Sequence, residues 1–377
     1  MGIPPGLPHG LPAGFPHALS PRELTARRHA HVSAFLSGRG LDPDWLSALM
    51  REQVGEGLLL LTSSPVHGLA NATSDLDFIR IQAEPIDGPR ISTKIFEDGH
   101  HLEVVSFSQA ELASNLAELE RLAATAPELT VAGFRRWDKQ REPRRKQTER
   151  IVNGIAMDGT APYLDALPAL STVWTRASQQ TAVEQLAHTV LAEAAGETRG
   201  RVGYAYNVLL HVMDALLSYH GDVYTTRKWY ALRWNRQVDE GSWRDGRARA
   251  VAAELERLRR EVAAALDPSA AGQPLAEAYT ALVLDCLRAT GTADSATVRL
   301  AVTGTVRPFL PGASLLVAPG GSVVLPGAGA ELPLSTAPVP LPELAKTAPQ
   351  DAATVLRALR AGAARLDIGY QDKEGTA

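Results

Sequence analysis

Between positions 55 and 81 the chain reads GEGLLLLTSSPVHGLANATSDLDFIRI, which sets two carboxylates, Asp75 and Asp77, one residue apart in an otherwise apolar stretch. The run GEGLLLL, bounded by Gly and Ser, predicts a strand covered on both faces. A helical turn through residues 65–71 and a second strand over 76–82 follow, so the acids belong to an interior strand. Residues two apart in a strand share a face, which places the carboxylates side by side with Cα atoms ~6–7 Å apart. Like charges that close repel unless a positive group sits between them. A divalent cation is the simplest such group, and hard oxygen donors select Mg²⁺ or Mn²⁺ over zinc.

A third carboxylate, Glu103, lies in HLEVVSF, where apolar neighbours again imply a mostly buried strand. If that strand neighbours the one over 76–82, three acids converge in the manner of two-metal phosphoryl chemistry. Upstream, a strand ending in Ser63 and Ser64 presents backbone N–H groups and hydroxyls to which phosphate oxygens bind. Gly68 lets the backbone pass close to a ligand, and Asn71 and Ser74 shape the turn into Asp75.

Around this stretch, Ser20 with Glu23 and Ser108 with Glu111 form capping boxes that open helices, the first running to about residue 36. Another short helix is expected over 43–53. Residues 90–96 and 101–107 read as a hairpin about Glu97-Asp98-Gly99-His100. Adjacent His100 and His101 point to opposite faces and read as a hairpin-loop pair rather than as metal ligands. Residues 20–125 thus form one α/β unit with the acid pair on a central strand.

Strand, small-residue pair, Gly, loop, then Asp-x-Asp and a later acid on a strand: this arrangement, carried by TSSPVHGLANATSDLDFI and Glu103, resembles the nucleotidyltransferase fold of the DNA polymerase β superfamily. The match covers residues 55–107. It implies a mixed sheet with flanking helices, a nucleoside triphosphate substrate and Mg²⁺ (or Mn²⁺). It further implies Ser64 on the β- and γ-phosphates, Asp75 and Asp77 on both metals, and Glu103 on the metal that activates the acceptor hydroxyl, or as base. The chain departs from the pattern where Ser63 replaces the usual Gly, which would crowd the triphosphate site. GDVYTTRKWYALRWNR is similar to the tail of the helical domain that follows such catalytic domains in small-molecule nucleotidyltransferases. By that likeness Lys228, with Arg227 beside it, reaches the triphosphate; an exposed basic turn with Trp229 and Trp234 in the core is the equal alternative.

FRRWDKQREPRRKQTER, 134–150, is strongly basic and reads first as a solvated face, second as a source of arginines for a polyphosphate. From about 181 to 267 the pattern is helical, a bundle, and helix-forming PLAEAYTALVLDCLRATG follows it. ATVRLAVTGTVRPFLPGASLLVAPGGSVVLPGAGAELPL then predicts short strands with tight turns, followed by a helix in DAATVLRALRAG and a strand in ARLDIGY. This last part reads either as a winged-helix-like module or as a scaffold packed on the bundle. The fold class is α+β, with a Pro/Gly-rich solvated tail over 1–19, a catalytic domain over 20–130, a helical domain over 131–290 and a β-rich module over 291–377.

Formal charge of −4 and a pI near 6.2 give no long-range attraction for a polyanion, which disfavours nucleic acid as acceptor. One cysteine, Cys286, excludes internal disulfides and suits the cytoplasm. No window reaches the ~18 apolar residues of a membrane span. Gly-x-Ser-x-Gly and Walker-A spacings are absent. The expected activity is transfer of a nucleoside monophosphate from an NTP to a hydroxyl-type acceptor on a small molecule, peptide or protein, with release of pyrophosphate. A natural-product or antibiotic-type acceptor suits the resemblance best. The other-class reading is a degenerate nucleotidyltransferase fold that binds nucleotide or a partner without turnover.

Overall fold

The computed structural model describes residues 15–86, 92–138, 144–241, 243, 245–264, 275–326 and 331–372. Most of the predicted tail, the start of the expected strand at residue 90 and the centre of the basic run lie outside them. The protein is α+β, with a mixed sheet and flanking helices. It divides into two compact units. One takes in the chain up to Thr125, Gly133–Val173 and Ser218–Ala231; the other takes in Ala126–Ala132, Trp174–Leu217 and the residues from Leu232 onward.

The first unit opens with α1 (Pro21–Ser37) and α2 (Pro43–Val54). The Ser20–Glu23 capping box starts α1, and the Asp42 carboxylate accepts the first free amides of α2, those of Asp44 and Trp45. Strands β1 (Leu58–Leu61), β2 (Leu76–Gln82), β3 (Ser92–Glu97) and β4 (His100–Ser108) follow. Then come α3 (Gln109–Ala123), the second half of α4 (Pro127–Asp138), α5 (Arg144–Asn153) and the short β5 (Ile155–Ala156). The sheet order is β3-β4-β2-β1-β5, with β2 and β4 parallel and the other neighbours antiparallel. Strand β2 is therefore central.

Period-two alternation sorts β2 and β4 between two faces. Leu76, Phe78, Leu102 and Val104 join Leu36, Leu46, Leu49 and Met50 of α1 and α2 in one core cluster. Asp77, Ile79 and Ile81 of β2, with Glu103, Val105 and Phe107 of β4, belong to the opposite face. Helix α3 packs against both strands and against α5, and its Leu112, Leu116, Leu119 and Leu122 are all buried. The two acids stand at the entry end of that face. The helical turn expected over 65–71 is a shorter hydrogen-bonded turn, in which Ser64 O accepts from Leu69 N and Pro65 O from Gly68 N.

In the second unit run most of α6 (Leu167–Ala194) and α7 (Thr198–Tyr219), α8 (Tyr230–Glu240), α9 (Gly246–Ala264) and α10 (Ala276–Ala289). Helix α6 begins at Leu167 rather than near 181. Its first half, LPALSTVWTRASQQ, breaks up its helix formers with Pro168 and with Ser, Thr, Val and Trp. Hydroxyls bonded one turn back, such as Thr172 to Pro168 O and Thr181 to Ala177 O, occupy its polar groups while the apolar side chains are buried.

Cys286 is 1% exposed, and burial pushes its thiol up to about 12, as suits a small core hydrophobe. The chain ends in β6 (Ser295–Val302), β7 (Thr305–Leu310), β8 (Ala313–Ala318), β9 (Gly321–Pro326), β10 (Val339–Pro340), α11 (Pro349–Arg360) and β11 (Ala364–Gln371). These strands make two antiparallel sheets, β10-β6-β11 and β7-β8-β9, and α11 packs on β11 and β9. No helix among the described residues is long and apolar enough to cross a membrane.

Candidate active site

The β2–β4 register brings Asp77 directly opposite Glu103. Partners in a parallel pair project to the same face, so the two carboxylates are lateral neighbours. Asp75 stands two residues before Asp77, just outside the strand. The Thr62 amide donates to Asp77 O at 2.9 Å and the Thr62 hydroxyl donates there at 3.0 Å. The chain therefore leaves β1 for the Ser63-Ser64 turn immediately beside the acids.

Ser63 is 5% exposed and its hydroxyl finds no hydrogen-bond partner among the described residues. Its φ is +64°, left-handed backbone that favours glycine. At this position the resembled pattern carries Gly. Gly68 has φ +63°, and a Cβ there would stand 2.8–2.9 Å from the ring atoms of His31, whose Nδ1 lies 3.2 Å from Val66 O. Ser64 is half-buried. Ser74 closes the entry turn: its hydroxyl donates to Asn71 Oδ1 at 3.0 Å, and its carbonyl accepts from Arg39 at 2.6 Å.

Each acid has a partner. Asp75 Oδ1 lies 3.0 Å from His101 Nδ1. Asp77 Oδ2 accepts from Arg150 Nη2 at 3.0 Å, with the two side chains 16% and 10% exposed. Glu103 Oε1 accepts from the Ser92 hydroxyl at 2.7 Å. Among the described residues no group of three or more His, Cys, Asp or Glu is placed to hold a metal ion. The donor chemistry of Asp77 and Glu103 fits a hard divalent cation, and they stand side by side; the Arg150 guanidinium fills the cation's role at Asp77.

His100 and His101 are the first residues of β4 rather than loop residues. As expected for neighbours in a strand they diverge, His100 lying 3.0 Å from Arg39 and His101 meeting Asp75 while stacking on Phe96. Lys228 sits in an exposed single turn with Nζ 4.6 Å from the Trp229 ring centroid. The stretch just before that turn, Asp222 to Thr225, is the part that enters the buried polar network beside the acids.

That network is what sequence reasoning missed. His67, on the turn after Ser64, lies between Glu149 Oε1 at 3.5 Å and Asp222 Oδ1 at 3.6 Å, with its ring 4.7 Å from that of Tyr224. Glu149 also accepts from Asn153 at 2.9 Å and from the Thr225 hydroxyl at 3.3 Å. Asn153 in turn accepts from Arg28 at 2.6 Å and donates to Val223 O at 2.9 Å. Burial lowers the Arg28 guanidinium to about 10 against the opposing pull of Asp222 and Glu149. Burial, then the Glu149 charge, raises the Tyr224 phenol to about 12, with Asp77 adding to the rise.

The basic run therefore does not end as the solvated face first expected: Thr148, Glu149, Arg150 and Asn153 are all buried. The sequence signal was the apolar pair Ile151 and Val152 closing an otherwise polar helix.

Fold and site together define an α+β protein whose central sheet presents in-register carboxylates beside a tight small-residue turn, backed by a buried ion-pair network. The model of a family of unknown function, DUF6001, matches residues 19–370, and the chain belongs to that family. No curated protein matches it.

Proposed function

We propose that this protein is a Mg²⁺-dependent nucleotidyltransferase, its first unit a nucleotidyltransferase-type catalytic sheet and its C-terminal strands with α11 a winged-helix-like or scaffolding module. The observation that carries the reading is the placement of Asp77 opposite Glu103 on parallel strands, directly beside the Ser63-Ser64 turn.

Amides of the turn and the Ser64 hydroxyl would bind the β- and γ-phosphates, with Ser63, Gly68 and Ser74 shaping the pocket and Lys228 offering a distal positive charge. Mg²⁺, which Asp75 and Asp77 would hold, with Glu103 either a further ligand or the base, would supply charge neutralisation when bound. In the reaction an acceptor hydroxyl oxygen bonds to the α-phosphorus, its proton passes to Glu103 as base, and the bond to the β-phosphate breaks so that pyrophosphate leaves with the electron pair. Acidic overall charge favours a small-molecule or peptide acceptor in the cytoplasm over nucleic acid.

Incubation with each labelled NTP and cell extract, followed by mass spectrometry and pyrophosphate assay, tests this. Turnover is expected. Asp77→Asn lowers it about a hundredfold or more, since even loss of a ligand's outer-shell partner costs 10–100-fold. The second reading, a nucleotide- or partner-binding module without turnover, is favoured by the Arg150–Asp77 pair and by the left-handed Ser63. Binding of NTP with no pyrophosphate released would select it.

A further inference from the structure

Arg150 closes the acid pair, and its surroundings explain how. The guanidinium reaches Asp77 from the last turn of α5, where the preceding residue, Glu149, has Oε1 3.5 Å from His67 Nε2 of the small-residue turn. One turn of helix thus grips both halves of the site. The charges around it are the half-buried Asp77 and Asp222 and the buried Glu149 against the buried Arg28 and Arg150, with His67 and Tyr224 between them. Removing Arg150 leaves three carboxylates facing one guanidinium, an imbalance that any available cation relieves.

We propose that Arg150 is the resident counter-cation of the acid site: it holds Asp77 while no metal is bound, and a divalent cation enters only by displacing it. The displaced guanidinium then lies beside the small-residue turn, where it is free to pair with an incoming polyphosphate, so that metal and nucleotide favour each other's binding. The inference rests on the proposed function for the identity of the polyphosphate, but its first step concerns the metal alone.

The experiment titrates Mn²⁺, without nucleotide, into the full-length protein, followed by electron paramagnetic resonance and by thermal melting. Wild type, Arg150→Met, Arg150→Lys and the double variant Arg150→Met/Asp77→Asn are compared. Arg150→Met is expected to bind Mn²⁺ at least about tenfold more tightly than wild type, within the range typical of coupled sites. It is also expected to melt lower than wild type without metal and to regain more on Mn²⁺ addition. The double variant loses the gain in affinity.

Equal or weaker binding by Arg150→Met overturns the proposal. So does a gain that survives Asp77→Asn. Should Arg150→Met fail to fold, Arg150→Lys, which keeps the charge but loses the planar fork, is expected to bind Mn²⁺ a few-fold more tightly than wild type; an unchanged affinity overturns the proposal equally. Pyrophosphate release by the wild type is scored separately. Its absence together with the expected Mn²⁺ results removes the nucleotidyl-transfer reading and leaves the role of Arg150 intact, and the converse pair of results does the opposite.

Discussion

Ser63 joins a strained backbone to a buried hydroxyl that has no hydrogen-bond partner among the described residues, in the turn that leaves β1. An L-residue in left-handed backbone costs roughly 1–2 kcal/mol, whereas glycine adopts it freely at an unfolded-state entropy cost of about 0.5–1 kcal/mol. Ser63→Gly should therefore stabilise the fold by about 0.5–1 kcal/mol, read as a higher urea midpoint, although a new glycine ordinarily destabilises; a lower midpoint would show that the hydroxyl has a compensating partner. The residue was conspicuous in the sequence because the resembled pattern carries Gly there. What the sequence did not contain was its φ, set by the demand that Thr62 remain bonded to Asp77 O while the chain turns at once to Ser64.

At the scale of elements, local chemistry fixed the ends of segments. Ser108 closes β4 and caps α3, its hydroxyl lying 3.2 Å from Glu111 N while Glu111 reaches back to Ser108 N at 3.0 Å. Ser108→Ala should cost about 1 kcal/mol, the usual worth of an N-cap. Because α3 covers the face that carries Asp77 and Glu103, amide hydrogen exchange should rise in α3 and at the adjoining end of β4 before it rises in α1. Uniform exchange across both helices would count against this. The Asp98-Gly99 turn behaves likewise: both residues have positive φ, 47° and 77°, as a tight two-residue hairpin loop requires. Such signals are legible because they are local. The parallel pairing of β2 with β4 is not, since nothing within either strand selects its neighbour.

At the scale of the whole molecule, the first unit owes its site to contacts between segments remote in sequence. Arg28 meets Asn153 across 125 positions, and Arg150 meets Asp77 across 73. Deleting one member of a buried charge network leaves the others uncompensated, so Arg28→Met should destabilise the protein by about 3 kcal/mol or more in a denaturant titration, although it adds no polar group. A loss below about 1 kcal/mol would mean that Glu149 and Asp222 are balanced without it.

The sequence by itself determined the longer strands of the first sheet, the caps, the apolar faces and the position of Asp77 and Glu103 on them, with Asp75 just before its strand, because periodicity and capping depend on neighbours a few residues away. Only the tertiary structure decided that Arg150, in a helix that reads as solvated, would turn inward. A charged side chain is buried where its counter-charge is, and that of Arg150, Asp77 on β2, is brought to α5 only by the fold.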